Sequence, residues 1–197
     1  MPTLAYRIRN SLYLNITNRC SNDCSFCIKY NSRTFNEDDL FLDREPSFDE
    51  IMAAIAAFSD FEEVVFCGYG ESLIRLEIVK QVAVAVKQTY CTRVRINTDG
   101  QANLVYGRNI IPELAGIVDC MSVSLNAPDA ETYMRLCRSP FGAAGFTAVC
   151  EFIRLAAAAI PEVIASVVLV PSLDVEACKA LALSLGASFR VRSYYQG

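Results

Sequence analysis

Short stretches of the chain alternate between apolar and polar residues, and this period of two predicts β-strands. In the first stretch Leu12, Leu14 and Ile16 are the apolar positions. By this pattern, or as short buried apolar runs, strands are predicted at 11–17, 63–67, 93–98, 119–125, 163–170 and 188–192. Apolar residues at helical spacing predict helices at 51–59, 73–89, 110–116, 130–137, 145–159 and 175–185. The first helix is preceded by Ser47 and Glu50, which form a capping box by their spacing.

The alternation of strands and helices predicts an α/β fold. Short connections between strand and helix favour parallel strands joined by right-handed crossovers. A complete eight-unit barrel needs about 250 residues, and this chain has 197. The prediction is therefore a single domain over 1–197, built as a partial (β/α)6 TIM-like barrel of parallel strands. A doubly wound open sheet fits the same pattern and is the alternative.

The composition excludes several classes of protein. The net charge of -4 gives no basic field for nucleic acid. The apolar stretch 155–173 is interrupted by Pro161 and Glu162, so no membrane span is predicted. The chain has nine cysteines, but its first residues lack the pattern of a secretory signal. A reducing cytoplasm is the expected location, with neither nucleic acid nor a membrane as a partner.

Three of the cysteines lie close together in the sequence, directly after the first predicted strand. Cys20, Cys24 and Cys27 have the spacing C-x3-C-x2-C. A structural zinc site takes four protein ligands, and the chain has no histidine to complete one. Three cysteinates can hold a 4Fe-4S cluster and leave one iron open. The alternative, thiols packed as small hydrophobic side chains, fits poorly with the polar residues between them. The other six cysteines form no C-x-x-C pair and predict no second cluster.

This segment resembles the cluster loop of the radical S-adenosylmethionine (radical SAM) enzymes. The resemblance includes the aromatic Phe26 before the third cysteine, and it places the cluster loop at 18–30. It implies that Cys20, Cys24 and Cys27 bind a 4Fe-4S cluster and that S-adenosylmethionine chelates the fourth iron through its amino and carboxylate groups. It also implies a six-unit partial barrel.

A second segment, Gly68-Tyr69-Gly70-Glu71, resembles the Gly-Gly-Glu motif of the same family. The resemblance implies that this turn holds the amino group of S-adenosylmethionine, with a backbone carbonyl and the Glu71 carboxylate as acceptors. The match departs from the common form, because Tyr69 replaces a glycine and serine follows Glu71 where proline is frequent. A strand-to-helix cap is the simpler alternative.

Two further segments resemble the family at predicted strand ends. Asn97 opens a turn that ends in Gly100, similar to the Asn-Thr-Asn-Gly turn of the family, and a plain glycine turn is its alternative. Ser124 and Asn126 resemble residues that meet the ribose and carboxylate of S-adenosylmethionine, and alternation along a strand would place them on one side. Of two downstream arginines, 135 and 138, we favour Arg138 as a partner of the methionine carboxylate. A solvated arginine is the alternative.

Segments across nearly the whole chain are similar to the small radical SAM proteins associated with TatD-family hydrolases. These segments are Phe66-Cys67-Gly68-Tyr69-Gly70-Glu71, Val94-Arg95-Ile96-Asn97-Thr98, Glu113-Leu114-Ala115-Gly116 and Ser124-Leu125-Asn126-Ala127-Pro128. The resemblance implies a pathway link to such a hydrolase, and it does not identify a substrate.

The expected activity follows from the family resemblance. The reduced cluster cleaves S-adenosylmethionine to methionine and a 5'-deoxyadenosyl radical, which abstracts hydrogen from a small substrate. A flavodoxin or ferredoxin is the electron donor that the resemblance implies. We expect an anionic group on the substrate, because several arginines and tyrosines lie on or just after predicted strands: Arg93, Arg95, Arg190, Arg192, Tyr194 and Tyr195. Arginines on the outer face of a strand are the alternative.

Other functions remain open at this point. The cluster could serve electron transfer or sensing, in which case no nucleoside pocket would be needed. An enzyme that modifies a peptide or protein, or one that builds a purine- or pterin-type heterocycle, is a further alternative. The polar segment 29–46 either covers the cofactor site or is only a connector.

Overall fold

A mainly parallel sheet forms the centre of the protein in a computed structural model, which describes residues 2–30, 32–171 and 173–194. Its strands follow one another in the order β1-β2-β5-β6-β7-β8-β9. They are β1 Ala5–Ile8, β2 Ser11–Leu14, β5 Glu63–Phe66, β6 Arg93–Thr98, β7 Cys120–Ser124, β8 Glu162–Val168 and β9 Ser188–Arg192. All neighbours from β2 to β9 pair in parallel, whereas β1 pairs antiparallel with β2.

This strand order selects between the two predicted folds. In a doubly wound sheet the strand order reverses at a switch point. Here the parallel strands keep the order of the chain from one edge to the other, which is the winding of a partial barrel. The six predicted strands are present, and β1 is an additional edge strand that was not predicted.

Helices connect the parallel strands, close to their predicted positions. They are α1 Phe48–Ala56, α2 Leu76–Tyr90, α3 Ala102–Tyr106, α4 Ile111–Leu114, α5 Ala130–Cys137, α6 Ala143–Ala157 and α7 Val175–Ser184. The capping box is confirmed, since Glu50 N–H donates to Ser47 Oγ and Ser47 N–H donates to the Glu50 carboxylate. A 3-10 turn, Ser72–Arg75, precedes α2, and the short α3 was predicted as a loop.

The two faces of the sheet have opposite character. One face is apolar and packs against the helices, with Leu14, Phe66, Ile96 and Val123 fully buried there. Because strand side chains alternate, the intervening residues lie on the other, concave face. These are largely polar, and include Tyr13, Arg95, Asn97, Ser122, Ser124, Ser166, Arg190 and Arg192. The burial of the apolar face stabilises the fold and leaves the concave face for ligands.

The polar segment 29–46 is partly regular where the structure describes it. It contains a small hairpin, β3 Thr34–Phe35 with β4 Asp38–Asp39. The hairpin packs beside β1 through a second apolar cluster that includes Tyr6, Leu40 and Tyr69. The side chain of Asn15 also donates to the Leu40 carbonyl at 2.8 Å. The segment is therefore anchored next to the chain that leads into the cluster loop. No helix among the described residues is long and apolar enough to cross a membrane.

Candidate cofactor site

The cluster loop follows β2 and is docked on the carboxyl end of α5. Asp23 N–H donates to the carbonyl of Cys137 at 3.1 Å, and Ser25 N–H donates to that of Leu136 at 2.9 Å. The last carbonyls of a helix have no partner inside the helix, so they are available to such a loop. This docking holds the three cysteines at the carboxyl edge of the sheet, where ligands bind in parallel α/β folds.

The thiols of Cys20, Cys24 and Cys27 are all partly buried. Within the described residues, no three cysteine, aspartate or glutamate side chains are close enough to hold one metal ion. A cubane cluster instead takes each cysteinate on a different iron. Burial raises the pKa of the Cys20 and Cys27 thiols, and a hydrogen bond with Cys137, followed by burial, raises that of Cys24. Cysteine ligands bind iron as thiolates, so a cluster held by these three cysteines would displace their protons.

The glycines of the second motif are required by packing. A Cβ on Gly70 would lie 2.4 Å from the carbonyl oxygens of Thr17 and Arg19, and a Cβ on Gly68 would overlap Asn15. In addition, Glu71 N–H donates to the Arg19 carbonyl at 2.7 Å. The turn at 68–71 is thus pressed directly against the start of the cluster loop. Its role toward S-adenosylmethionine stays a prediction.

Tyr69 and Glu71 are both buried, and both already have partners in the protein. Tyr69 OH donates to the Ser32 carbonyl at 2.8 Å, which ties this turn to the hairpin segment. The Glu71 carboxylate accepts from Leu73 N–H at 2.9 Å, from Thr98 Oγ1 at 3.0 Å and from Asp99 N–H at 2.6 Å. It therefore caps the following 3-10 turn and joins the ends of β5 and β6.

Asp99 lies in the turn that Asn97 opens, and it contacts the cluster loop. Its carboxylate accepts a short hydrogen bond from Ser21 Oγ and lies 3.9 Å from Cys20 Sγ. It is also next to Glu71, and burial together with the charge of Asp99 raises the pKa of Glu71 to about 8. Two buried carboxyl groups this close do not both ionise readily. The pair links the predicted turn to the first cysteine.

Asn97 and Ser124 lie on the concave face at the ends of neighbouring strands. The side-chain oxygen of Asn97 is buried and has no hydrogen-bond partner among the described residues. Buried polar atoms rarely stay without a partner, so an unpaired acceptor at a strand end indicates a place for a ligand donor. Ser124 Oγ accepts a hydrogen bond from Arg192 at 3.2 Å. Both positions suit the cofactor role predicted for them.

Asn126 does not share a strand face with Ser124, because β7 ends at Ser124. Asn126 has a left-handed backbone with φ of 57°, so strand alternation does not apply to it. It is buried, its oxygen accepts from Val168 N–H at 3.3 Å, and its amide donates to Cys137 Sγ at 3.7 Å. These contacts connect β7, β8 and α5.

The remaining predicted site residues are spread more widely. Phe26 is partly buried against the main core. Arg138 is exposed, follows α5 and lies 4.0 Å from the Asp23 carboxylate on the cluster loop. Arg135 is exposed on α5, and Tyr195 lies outside the described residues.

A buried polar network behind the cluster loop has no signal in the sequence. Asn22 donates to Tyr133 OH at 3.1 Å and accepts from Gln101 at 2.6 Å, and Ser139 donates to Gln101 at 2.5 Å. All four side chains are buried. The network joins the cluster loop to α3, α5 and the segment after α5. Cys137, which contacts Cys24, was also missed, because the two are far apart in sequence.

Comparisons with known proteins identify the family and the fold of the chain. The model of the Radical SAM superfamily matches residues 14–184. None of the curated proteins matches the chain. Similar solved structures are a radical SAM methyltransferase from Sphaerobacter thermophilus (TM-score 0.62, 17% identity), archaeal TYW1 (0.59, 8%) and methylornithine synthase, PylB (0.62, 14%). They match 96%, 94% and 94% of this chain, which spans 68%, 65% and 53% of theirs. At these identities the likeness shows the fold alone.

Proposed function

The chain belongs to the radical SAM superfamily, whose members are enzymes that use a 4Fe-4S cluster and S-adenosylmethionine, and we propose that it generates a radical from S-adenosylmethionine to act on a small substrate. When bound, these cofactors supply one-electron cleavage of the sulfonium to methionine and a 5'-deoxyadenosyl radical, which takes a hydrogen atom from substrate. Cys20, Cys24 and Cys27 hold the cluster.

The observation that carries this proposal is the unpaired oxygen of Asn97 at the carboxyl end of β6. A cluster used only for electron transfer or sensing needs no nucleoside pocket. Here a buried acceptor, Asn97 Oδ1, and the hydroxyl of Ser124 lie on the same concave face and at the same sheet edge as the cysteines. Donors on S-adenosylmethionine, such as its ribose hydroxyls, match that acceptor.

The other residues of the site orient the loops. Glu71 fixes the end of β5 to the end of β6 through Thr98 and the Asp99 N–H. Asn22 and Gln101 fix the cluster loop from behind. Because these groups are buried and hydrogen-bonded, they hold the loop in position without themselves taking part in electron or hydrogen transfer.

The proposal extends to partners, on the family resemblance alone, and to location, on the cysteine content of the chain. A flavodoxin- or ferredoxin-type protein is the electron donor, a TatD-family hydrolase acts in the same pathway, and the protein works in the reducing cytoplasm. An anaerobic assay in which reduced flavodoxin replaces dithionite tests the donor.

The central test is anaerobic reconstitution of the cluster, reduction with dithionite and chromatography of 5'-deoxyadenosine after addition of S-adenosylmethionine. The wild type is expected to form 5'-deoxyadenosine, and Cys24→Ala is expected to fall to the background. Cys91→Ala is the matched control, because Cys91 is exposed at the end of α2.

One result would overturn the proposal. If the reconstituted wild type holds a full cluster but S-adenosylmethionine neither changes its electron paramagnetic resonance spectrum nor is cleaved, the protein is an electron carrier or a sensor.

A further inference from the structure

Four arginines lie on the concave face of the sheet, and they fall into two pairs with different surroundings. Arg93 and Arg95 are on β6, at alternate positions with Asn97. Arg190 and Arg192 are on β9, in register with Ser166 and Val168 of β8.

The β6 arginines are neutralised within the protein. Arg93 forms an ion pair with Glu162 at 2.6 Å, and Arg95 forms one with Glu63 at 3.0 Å. Arg95 also donates to the hydroxyl of Tyr13 at 3.0 Å. Both pairs lie toward the amino end of the strands, because Glu63 and Arg93 are the first residues of β5 and β6. These two arginines are therefore poor candidates for holding an anionic substrate.

The β9 arginines have no ion pair with any residue that the structure describes, and Arg192 is the last residue of its strand. Arg192 reaches from β9 across β8 to donate to Ser124 Oγ on β7 at 3.2 Å. Its guanidinium thus lies over the concave face at the carboxyl edge, where ligands bind.

We propose that Arg192, with Arg190 on the same strand, binds a carboxylate or phosphate group of the substrate. A guanidinium has five N–H donors, and Ser124 accepts from only one of its nitrogens. The remaining N–H groups can donate two parallel hydrogen bonds to one anion. The carboxylate of S-adenosylmethionine is expected on the cluster, as the family resemblance implies, so the substrate is the proposed source of the anion at Arg192. The assignment of this anion to the substrate rests on the proposed function. The existence of an anion site at Arg192 does not depend on that function.

The first test uses the metal-free protein, with inorganic phosphate and succinate as probes. At constant ionic strength, both anions are expected to raise the Tm of the wild type above that in sodium chloride. Arg192→Gln is expected to weaken the apparent affinity for them by about tenfold, which is the value of one charge-assisted hydrogen bond. Arg192→Lys keeps the positive charge but lacks the paired N–H donors of a guanidinium. Its affinity for both anions should therefore lie between that of Arg192→Gln and that of the wild type.

Arg93→Gln is the matched control, because Arg93 lies on the same face of the sheet and is already paired with Glu162. It should keep the wild-type response to both anions. The anion site is refuted if phosphate and succinate raise the Tm of the wild type no more than sodium chloride does. It is also refuted if they raise the Tm of Arg192→Gln as much as that of the wild type. The near-ultraviolet circular dichroism of each variant in sodium chloride establishes that it is folded.

A second measurement separates the substrate from S-adenosylmethionine as the source of the anion. The electron paramagnetic resonance spectrum of the reduced, reconstituted Arg192→Gln protein should respond to S-adenosylmethionine at the same concentration as the wild type. A response only at much higher concentration would assign Arg192 to the methionine carboxylate and overturn the substrate assignment. If the wild type binds phosphate but never forms 5'-deoxyadenosine, the proposed function fails and the anion site stands.

Discussion

Polar side chains are paired differently at the two ends of the parallel sheet. Toward the amino end, both inward arginines of β6 form an ion pair, with Glu162 or Glu63, although the buried Nε of Arg95 has no hydrogen-bond partner among the described residues. At the carboxyl end, Asn97 Oδ1 has no partner and Arg192 has no ion pair among the described residues. The charges of the β6 arginines are paired within the protein, whereas the charge of Arg192 is available to a ligand. This difference in charge pairing favours the carboxyl end as the place for a charged ligand.

This comparison has energetic consequences. The carboxyl end holds the cluster loop through close backbone contacts and buried hydrogen bonds, so changes there should reduce both stability and cluster content. The amino end holds ion pairs, one of them largely exposed, so changes there should affect stability alone.

The largest effect is expected for Gly70→Ala at the carboxyl end. The new Cβ would lie 2.4 Å from two backbone carbonyls, which cannot turn away as a side chain can. We expect a loss of about 3 kcal/mol or more in the free energy of unfolding and a lower iron content after reconstitution. Urea unfolding and iron analysis measure both. Gly107→Ala is the control, because no atom lies within 4 Å of its Cβ and only its positive φ of 63° costs about 1 kcal/mol. Equal unfolding midpoints for the two variants would contradict the close packing.

The next effect is expected for Asn22→Ala. It leaves Tyr133 OH and Gln101 without their partner in a buried region, at a cost of about 1–3 kcal/mol. Iron content should also fall, because Asn22 lies between two of the cysteines. Asn10→Ala, which removes an exposed hydrogen bond to Glu62, should change stability by less than about 0.5 kcal/mol. An Asn22→Ala protein with wild-type urea midpoint and iron content would show that the network does not hold the loop.

At the amino end, Arg95→Gln should cost about 1–3 kcal/mol, because the side chains of Arg95 and Glu63 are only 11% and 17% exposed. Arg93→Gln should cost about 0.5 kcal/mol, since that pair is 55% and 47% exposed. Both variants are expected to keep the full cluster, as judged by iron content and visible absorbance. Loss of cluster in either one would remove the distinction between the two ends.

The smallest effect concerns Glu50, an exposed group of the capping box. Hydrogen bonds from Arg44 and then from Ser47 N–H lower its pKa to about 2. The pKa of Glu50 is higher in the unfolded chain, at about 4.3. The ionised Glu50 therefore stabilises the fold at pH values above about 4.3, and this contribution is lost as the pH falls toward 2. Glu50→Gln should therefore show a weaker loss of stability between pH 5 and pH 2.5 in urea unfolding. An equally steep loss in this variant would contradict the ion pair.

Much of this architecture follows from local patterns in the sequence. Period-two alternation and buried apolar runs predicted all six parallel strands, because a strand with one buried face must alternate. The spacing of Cys20, Cys24 and Cys27 predicted the cluster loop, since residues that close in sequence must also be close in space. Ser47 and Glu50 predicted where α1 begins, because a capping box is made by neighbours along the chain.

What the sequence by itself determined is therefore the six parallel strands, the helices other than α3, and the family. Only the tertiary structure decided which polar side chains have a partner within the protein and which are available to a ligand. Arg95 and Arg192 look alike in the sequence, yet one is paired with Glu63 and the other is not. Likewise, Asn22 meets Tyr133, and Cys24 meets Cys137, across more than a hundred residues. Such pairings depend on strand register and helix docking, which bring together side chains that no local pattern relates.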